Sequence, residues 1–305
     1  MSVASVKFTL NGVDTMLTAG ANDTWTGTIS APGTTSYNEN ADHAYYGTVT
    51  ATDDAGNSTV VDVTDATLGA SLKLRVLEKD PPTQTLTYPT SGGYVTDTDT
   101  PTFRWTVTDV DAGNGASGVN SSTISITIDG GEAVTTGITK TAIAGGFECE
   151  YTPSAALTQG AHTYVVSASD NDGNFATSAS TSFTVDTAAP SLNVTSPATD
   201  MVTNVATLTV SGTTDDITTK PVTVTVNGDP VTVTPGTGEF STTINLTAGA
   251  NTITVIATDT AGNTTTVTRT VTLNTTPPTI ASITLTPNPV DAGQTYVVTV
   301  VATDT

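Results

Sequence analysis

Residues 157–174 read LTQGAHTYVVSASDNDGN and residues 246–263 read LTAGANTITVIATDTAGN, with ten of the eighteen aligned positions identical. An internal repeat constrains the fold before any other signal, because each copy must be one unit of the same supersecondary plan. A third, more divergent copy, YYGTVTATDDAGN, ends at Asn57. Each copy alternates as a half-buried strand does. His162, Tyr164, Val166 and Ala168 share one face in one copy, and Asn251, Ile253, Val255 and Ala257 share it in another. The strand then runs into Asp-x-x-Gly-Asn, a turn in which Gly takes positive φ and Asp or Asn bonds the nearby backbone. Each copy therefore predicts one strand and one turn of a small β domain.

The repeat spacing sets the domain size. Asp53, Asp170 and Asp259 recur at intervals that suit sandwich domains of roughly 100 residues. Thr and Val dominate, and both are stiff at χ1 and suit a pleated surface. No helical period persists beyond a turn or two, so the fold class is all-β.

The formal net charge is −21, from 29 acidic against 8 basic residues. Such a surface repels nucleic acid and anionic lipid and keeps a long repeat protein soluble. It is also compatible with bound cations. One cysteine excludes an intrachain disulfide. In GFECEYTP, Phe147, Cys149 and Tyr151 share a face, so Cys149 reads as a small buried hydrophobe. No apolar run is long enough to span a membrane, and MSVASVKFTL lacks the basic and apolar regions of a secretory signal.

Along the chain, Val6, Phe8 and Leu10 alternate into Asn11-Gly12, the strongest short-range hairpin signal. SLKLRVLEK, residues 71–79, predicts a closing strand before Asp80-Pro81-Pro82, a stiff linker. In the next stretch Phe103, Trp105 and Val107 form one face, and Ile124, Ile126 and Ile128 lead into Asp129-Gly130. The plan returns with Leu208 and Val210, then Val222, Val224 and Val226 before Asn227-Gly228. The expected units are residues 1–80, 81–187, 188–276 and a partial unit, 277–305, with room for two strands. Together they would form an elongated rod of antiparallel β-sandwiches.

The segments DAGNGASGVNSSTISITIDGG, YTPSAALTQGAHTYVVSASDNDGNFA, FTVDTAAP and TPNPVDAGQTYVVTV resemble bacterial immunoglobulin-like repeats over most of residues 82–305. The resemblance implies tandem immunoglobulin-like domains, modules that serve as stalks and spacers in many proteins. Unlike antibody domains, the chain has no inter-sheet cysteine pair. Tyr164 sits where a tyrosine-corner residue would, and Ile253 replaces it in the following unit. The opening unit, with KFTLNGVDTML and HAYYGTVTATDDAGN, resembles Ig-like proteins of phage and prophage tail gene clusters of Gram-positive bacteria. This implies a virion location, with release by lysis.

The interval from hairpin turn to strand-end Asp is nearly the same for Asn11–Asp53 and Asp129–Asp170, and somewhat shorter for Asn227–Asp259. Before its hairpin, however, the first unit has only the stretch Met1–Leu10, far less than the other two have. The first unit is thus expected to lack its opening strands, and the fourth to consist of little else. Open edges require a cover. Residues 279–305 of one copy completing the first unit of the next would give head-to-tail assembly by strand addition; the alternatives are a smaller, self-sufficient first unit with a disordered or truncated tail, and docking of either end onto a different virion protein.

The expected function is a non-enzymatic structural or adhesive protein of a phage tail or fibre. Its partners would be its own copies, other virion proteins, or a host-surface glycan or protein, with no nucleic acid and no membrane insertion. A fragment of a bacterial cell-surface adhesin or filament is the alternative, and the spacer of a secreted glycan-degrading enzyme a third class. No catalytic motif is present and no cofactor is expected. The metal candidates are calcium ligands among closely spaced carboxylates near domain ends: Asp109 with Asp111 and Asp170 with Asp172, besides Asp97 and Asp99. Calcium takes six to eight oxygens, and Asp at turns is also expected without a metal. His162, aligned with Asn251, is expected to hold a corner of the fold.

Overall fold

In the computed structural model, residues 2–304 are described; the end residues of the first and last expected units, Met1 and Thr305, lie outside them. Among the described residues there is no α-helix, only one 3-10 turn, Gly69–Leu72, and strands. No helix is therefore long and apolar enough to cross a membrane. The chain divides between Val185 and Asp186 into two compact units.

The first unit opens with one antiparallel sheet, in the order Val13–Met16, Val3–Leu10, Tyr45–Asp53, Ser58–Val61. Asn11 (φ 47°) and Gly12 (φ 74°) make the expected turn, with Leu10 opposite Val13. The expected closing strand shrinks to Lys73–Leu74, paired with Tyr45 and Tyr46. Beyond it the backbone bonds to a loop instead of a ladder, Ser36 N donating to Val76 O at 2.8 Å. Val6, Leu10, Ala44 and Tyr45 are the buried hydrophobic residues here, and neither core cluster of the chain extends into this sheet.

A sandwich follows in the same unit. Its four-stranded sheet has the order Thr139–Ile143, Gly146–Tyr151, Phe103–Thr108, Thr83–Tyr88. The facing sheet runs Ser125–Ile128, Gly160–Ser169, Thr181–Val185, Tyr94–Val95, with Phe175–Thr177 also on Gly160–Ser169. The pair Thr181–Val185 and Tyr94–Val95 is parallel. Phe103, Trp105 and Val107 are buried against Ile126, Tyr164, Val166 and Phe183 of the other sheet. Alternation puts every second residue of each strand into this core. Burying each such side chain contributes about 1.5–3 kcal/mol. Cys149 lies directly opposite Trp105; burial pushes its thiol up to about 11, an inert buried group. Asp129 (φ 51°) and Gly130 (φ 66°) form the expected turn. The returning chain, however, makes only an isolated bridge, Ile126 to Val134.

The second unit repeats the sandwich. One sheet has the order Ser191–Ser196, Thr207–Asp215, Glu239–Asn245. The other runs Met201–Thr203, Thr264–Leu273, Gly249–Thr258, Thr223–Val226, Asp229–Val231, its first pair parallel. Val210, Val224, Val226, Ile253, Val255, Ala257 and Val271 form an aliphatic core with Phe240. The Asn227-Gly228 turn forms as expected, with Val226 opposite Asp229. Beyond it, Thr279–Thr286 and Val297–Thr303 pair in a two-stranded antiparallel sheet.

Candidate functional site

The repeated Asp-x-x-Gly-Asn turns share one construction. Asp53, Asp170 and Asp259 each donate a backbone N–H to the carbonyl of Asn57, Asn174 and Asn263, at 2.9, 3.1 and 3.1 Å. Each Asp accepts the Asn backbone N–H on one carboxylate oxygen, at 2.9, 2.8 and 2.9 Å. The other oxygen takes the Asn side-chain amide, at 2.9, 2.7 and 3.0 Å. Gly56, Gly173 and Gly262, at φ 88°, 96° and 99°, occupy the position that requires a positive φ.

In the two sandwiches the Asn amide does more. Asn174 Nδ2 also donates to Glu78 O at 3.2 Å, and Asn263 Nδ2 to Asp186 O at 3.0 Å. The motif thus fastens the chain segment that bears an acidic residue. At both places that acid joins two others. Glu78, Asp109 and Asp170 are all buried, each with a carboxylate oxygen within 4.8 Å of the others. Asp186, Asp216 and Asp259 form the equivalent group. Asp109 follows the strand Phe103–Thr108, and Asp216 follows Thr207–Asp215.

The first group is the more strained electrostatically. One Glu78 oxygen, Oε1, accepts the Ser117 N–H. The other, Oε2, is buried and has no hydrogen-bond partner. Asp109 Oδ2 accepts the Gly118 N–H at 2.7 Å. Burial, with Glu78, Asp170 and Asp172 adding repulsion, pushes the Asp109 carboxyl up to about 6 despite that bond. In the second group, Asp186 Oδ2 receives Thr219 Oγ1 at 2.5 Å, and Asp216 Oδ1 receives two backbone N–H groups at 2.7 Å.

Of the residues expected from sequence, Asp109 and Asp170 come together. Asp111 is exposed and holds its own loop, accepting the Gly113 and Gly115 N–H groups at 2.7 and 2.8 Å. Asp172 Oδ2 accepts Thr35 Oγ1 at 2.5 Å and the Glu78 N–H at 3.1 Å. Asp97 and Asp99 are exposed. Glu78 was not expected; its relation to Asp186, each acid preceding a proline-containing junction, was the available signal.

The corner is held by the histidine and not by the tyrosine. His162 Nε2 lies 2.7 Å from Thr158 O, and its Nδ1 lies 2.7 Å from Asp129 Oδ2. Asn251 Nδ2 makes the same bond to Thr247 O at 2.7 Å. Tyr164 instead donates its hydroxyl to Pro89 O, far upstream in the chain, at 2.9 Å, and burial pushes its phenol up to about 12.

Two further surfaces are open. Every described residue from 279 to 304 is exposed. Cross-strand partners share a face, so the pairs Ile283–Val300 and Leu285–Val298 form one apolar stripe. The first sheet carries a groove of about 350 Å³ lined by Phe8, Leu10, Ile29, Leu72 and Leu74.

Paired sheets around one core, a short early strand parallel to the last one and the repeated corner define tandem immunoglobulin-like sandwiches. Residues 90–187 match the family model for a bacterial Ig-like domain. Residues 190–275 match that for glucodextranase, domain B. Residues 90–187 are thus similar to a bacterial Ig-like domain. No curated protein matches it. Titin domains I67–I69 are similar in fold at 12% identity and TM-score 0.42, over 88% of this chain and 87% of that one. The fibronectin(III)-like modules of Clostridium thermocellum CbhA are 19% identical, with TM-score 0.36, over 63% of this chain and 94% of theirs. The tetra-tandem repeat in the extending region of a large adhesion protein is 19% identical, with TM-score 0.30, over 98% of this chain and 79% of that one.

Proposed function

We propose that this chain is a non-enzymatic structural and adhesive repeat protein of a phage virion, in which the hairpin Thr279–Thr303 of one copy seats on the open first sheet of another. The observation that carries the reading is the exposed apolar stripe of Ile283, Leu285, Val298 and Val300. A chain whose sandwiches bury their other apolar faces leaves such a stripe exposed only at a cost that a partner removes. The groove beside Phe8 and Leu10 supplies a complementary apolar surface, and strand addition supplies backbone pairing. The resemblance of the opening unit to tail-cluster proteins supports the virion placement. The partners are then further copies, other tail proteins and a host-surface glycan or protein.

The test is light scattering after size exclusion, with negative-stain imaging, on the full chain and on a chain ending at Pro278. Head-to-tail polymers that vanish on shortening support strand exchange; monomers in both cases sink it. A second reading, the spacer of a glycan-active enzyme, is favoured by the match of residues 190–275 to a glucodextranase domain. A catalytic domain encoded in the same reading frame would select it over the first.

A further inference from the structure

We propose that the contact between copies is made face to face: one face of the hairpin Thr279–Thr303 closes over Phe8, Val49 and Ala51, so that two copies share one sandwich. The inference rests on the reading that the hairpin of one copy meets the first sheet of another, and not on the virion placement. It fixes which surfaces meet.

The hairpin is two-sided. Cross-strand partners share a face, and alternate residues return to it. One face therefore carries the pairs Ile280–Ala302, Ile283–Val300 and Leu285–Val298, all apolar. The other carries Ser282–Val301, Thr284–Thr299 and Thr286–Val297, each with a hydroxyl. Such a division is that of a sheet with one packed and one solvated face. Two strands alone are marginal in water until their apolar face is packed.

The first sheet is two-sided as well. Val6–Ala51, Phe8–Val49 and Leu10–Gly47 lie on one face, and Ser5–Thr52, Lys7–Thr50 and Thr9–Thr48 on the other. The same register recurs in the first sandwich, where Ile126 pairs with Val166 and Ile128 with Tyr164. Leu10 and Ile128 each precede a hairpin turn, and Gly47 and Tyr164 stand at the same interval before Asp53 and Asp170. Phe8, Val49 and Ala51 are thus the counterparts of Ile126, Val166 and Ala168. Their cover differs. The sandwich residues are fully buried against Phe103, Trp105 and Val107 of the facing sheet, whereas Phe8, Val49 and Ala51 are only half-buried.

The hairpin has the form of the missing cover. In the sandwich that cover includes the antiparallel pair Thr83–Tyr88 and Phe103–Thr108, with one register shift in its first strand. The hairpin is also an antiparallel pair with one register shift in its first strand. A proline follows the first strand in both, Pro89 and Pro287, and an acid follows the second, Asp109 and Asp304. Counted back from that acid, Val300 takes the place of Trp105 and Val298 that of Phe103, both core residues of the sandwich. Backbone pairing remains available at the outer edge of Val297–Thr303, the edge by which Phe103–Thr108 and Thr207–Asp215 each take a third strand.

The test follows full chains by light scattering after size exclusion over a concentration series. Val300→Asp puts a charge into the proposed contact and is expected to raise the concentration needed for assembly at least about tenfold. Val301→Asp, on the other face, is expected to leave it within about twofold. The two side chains are 50% and 47% exposed in the hairpin, so folding does not separate the variants. A chain carrying Val300→Cys is then mixed under oxidising conditions with one carrying Val49→Cys. A disulfide-linked pair is expected, the positions facing each other as in the inter-sheet bridge of antibody domains. A chain carrying Val60→Cys, on the edge strand Ser58–Val61, is expected to give none. Equal weakening by the two aspartate substitutions overturns the face-to-face contact while assembly itself stands. So does linkage to the Val60→Cys chain, or to neither chain. Monomers of the unaltered chain at every concentration overturn the underlying reading and this inference together.

Discussion

At the acidic end of one sandwich Glu78 keeps an oxygen that nothing donates to, whereas at the same end of the other Asp186 receives Thr219 Oγ1 at 2.5 Å. The two ends share their plan, an acid on the incoming segment, one after an early strand and one in the Asp-x-x-Gly-Asn turn. The cores differ as well: Phe103, Trp105, Tyr164 and Phe183 fill the first, and mainly aliphatic side chains fill the second. One architecture thus accepts different fillings of its core and of its acidic end. In one copy a hydroxyl meets the acid of the incoming segment, whereas in the other no donor reaches the corresponding Glu78 oxygen.

The largest effect tests whether the sandwiches are energetically separate. Phe103 is fully buried, and its ring meets those of Tyr164 and Phe183 edge-on at 4.9 and 5.7 Å. Phe103→Ala is expected to cost about 3–5 kcal/mol. Calorimetry should show the melting transition of that unit fall while the transition of residues 188–276 holds. If both fall together, the repeats do not act as a sum of units.

Next in size, Thr219→Val turns the satisfied acidic end into a copy of the other. It strips Asp186 Oδ2 of its hydroxyl donor at a buried position, so urea unfolding of the second unit should lose about 1–3 kcal/mol. An unchanged midpoint would show that the hydroxyl is not what distinguishes the two ends.

The smallest effect concerns the turns. Asn174→Ala removes bonds to both Asp170 and the Glu78 carbonyl, whereas Asn57→Ala removes only those within its own turn. Asn174→Ala is expected to exceed Asn57→Ala by about 1 kcal/mol, the worth of one net hydrogen bond. Parallel chemical denaturation of the two variants gives the difference, and equal losses would mean that the link to the incoming segment contributes nothing.

Much of the fold was legible in the sequence because its signals are local. The alternation of His162, Tyr164, Val166 and Ala168 reports burial directly, and Asn11-Gly12 and Asn227-Gly228 need a positive φ that few other pairs supply. Local signals also misled. SLKLRVLEK has a strand's composition, yet only Lys73–Leu74 pairs, because the Val76 carbonyl turns to the loop around Ser36. The acidic site was half legible. Closely spaced pairs drew attention to Asp111 and Asp172, which face loops. The third member, Glu78, lies well before Asp109 in the chain and is brought to it only by the folded linker. Sequence proximity measures tether length, whereas a site needs proximity in space. Tyr164 makes the same point, since its partner Pro89 lies just past a strand distant in the chain.

The parallel pairing of an early strand with the last has a mechanical consequence. Thr184 and Val185 pair with Tyr94 and Val95 in one sandwich, and Met201, Val202 and Thr203 pair with Val271, Thr272 and Leu273 in the other. When a chain is pulled by its ends, parallel strands near those ends slide past each other, and their bonds bear the load together instead of opening one by one. Each sandwich thus carries a latch set along the line of tension, shorter by one residue pair in the first than in the second.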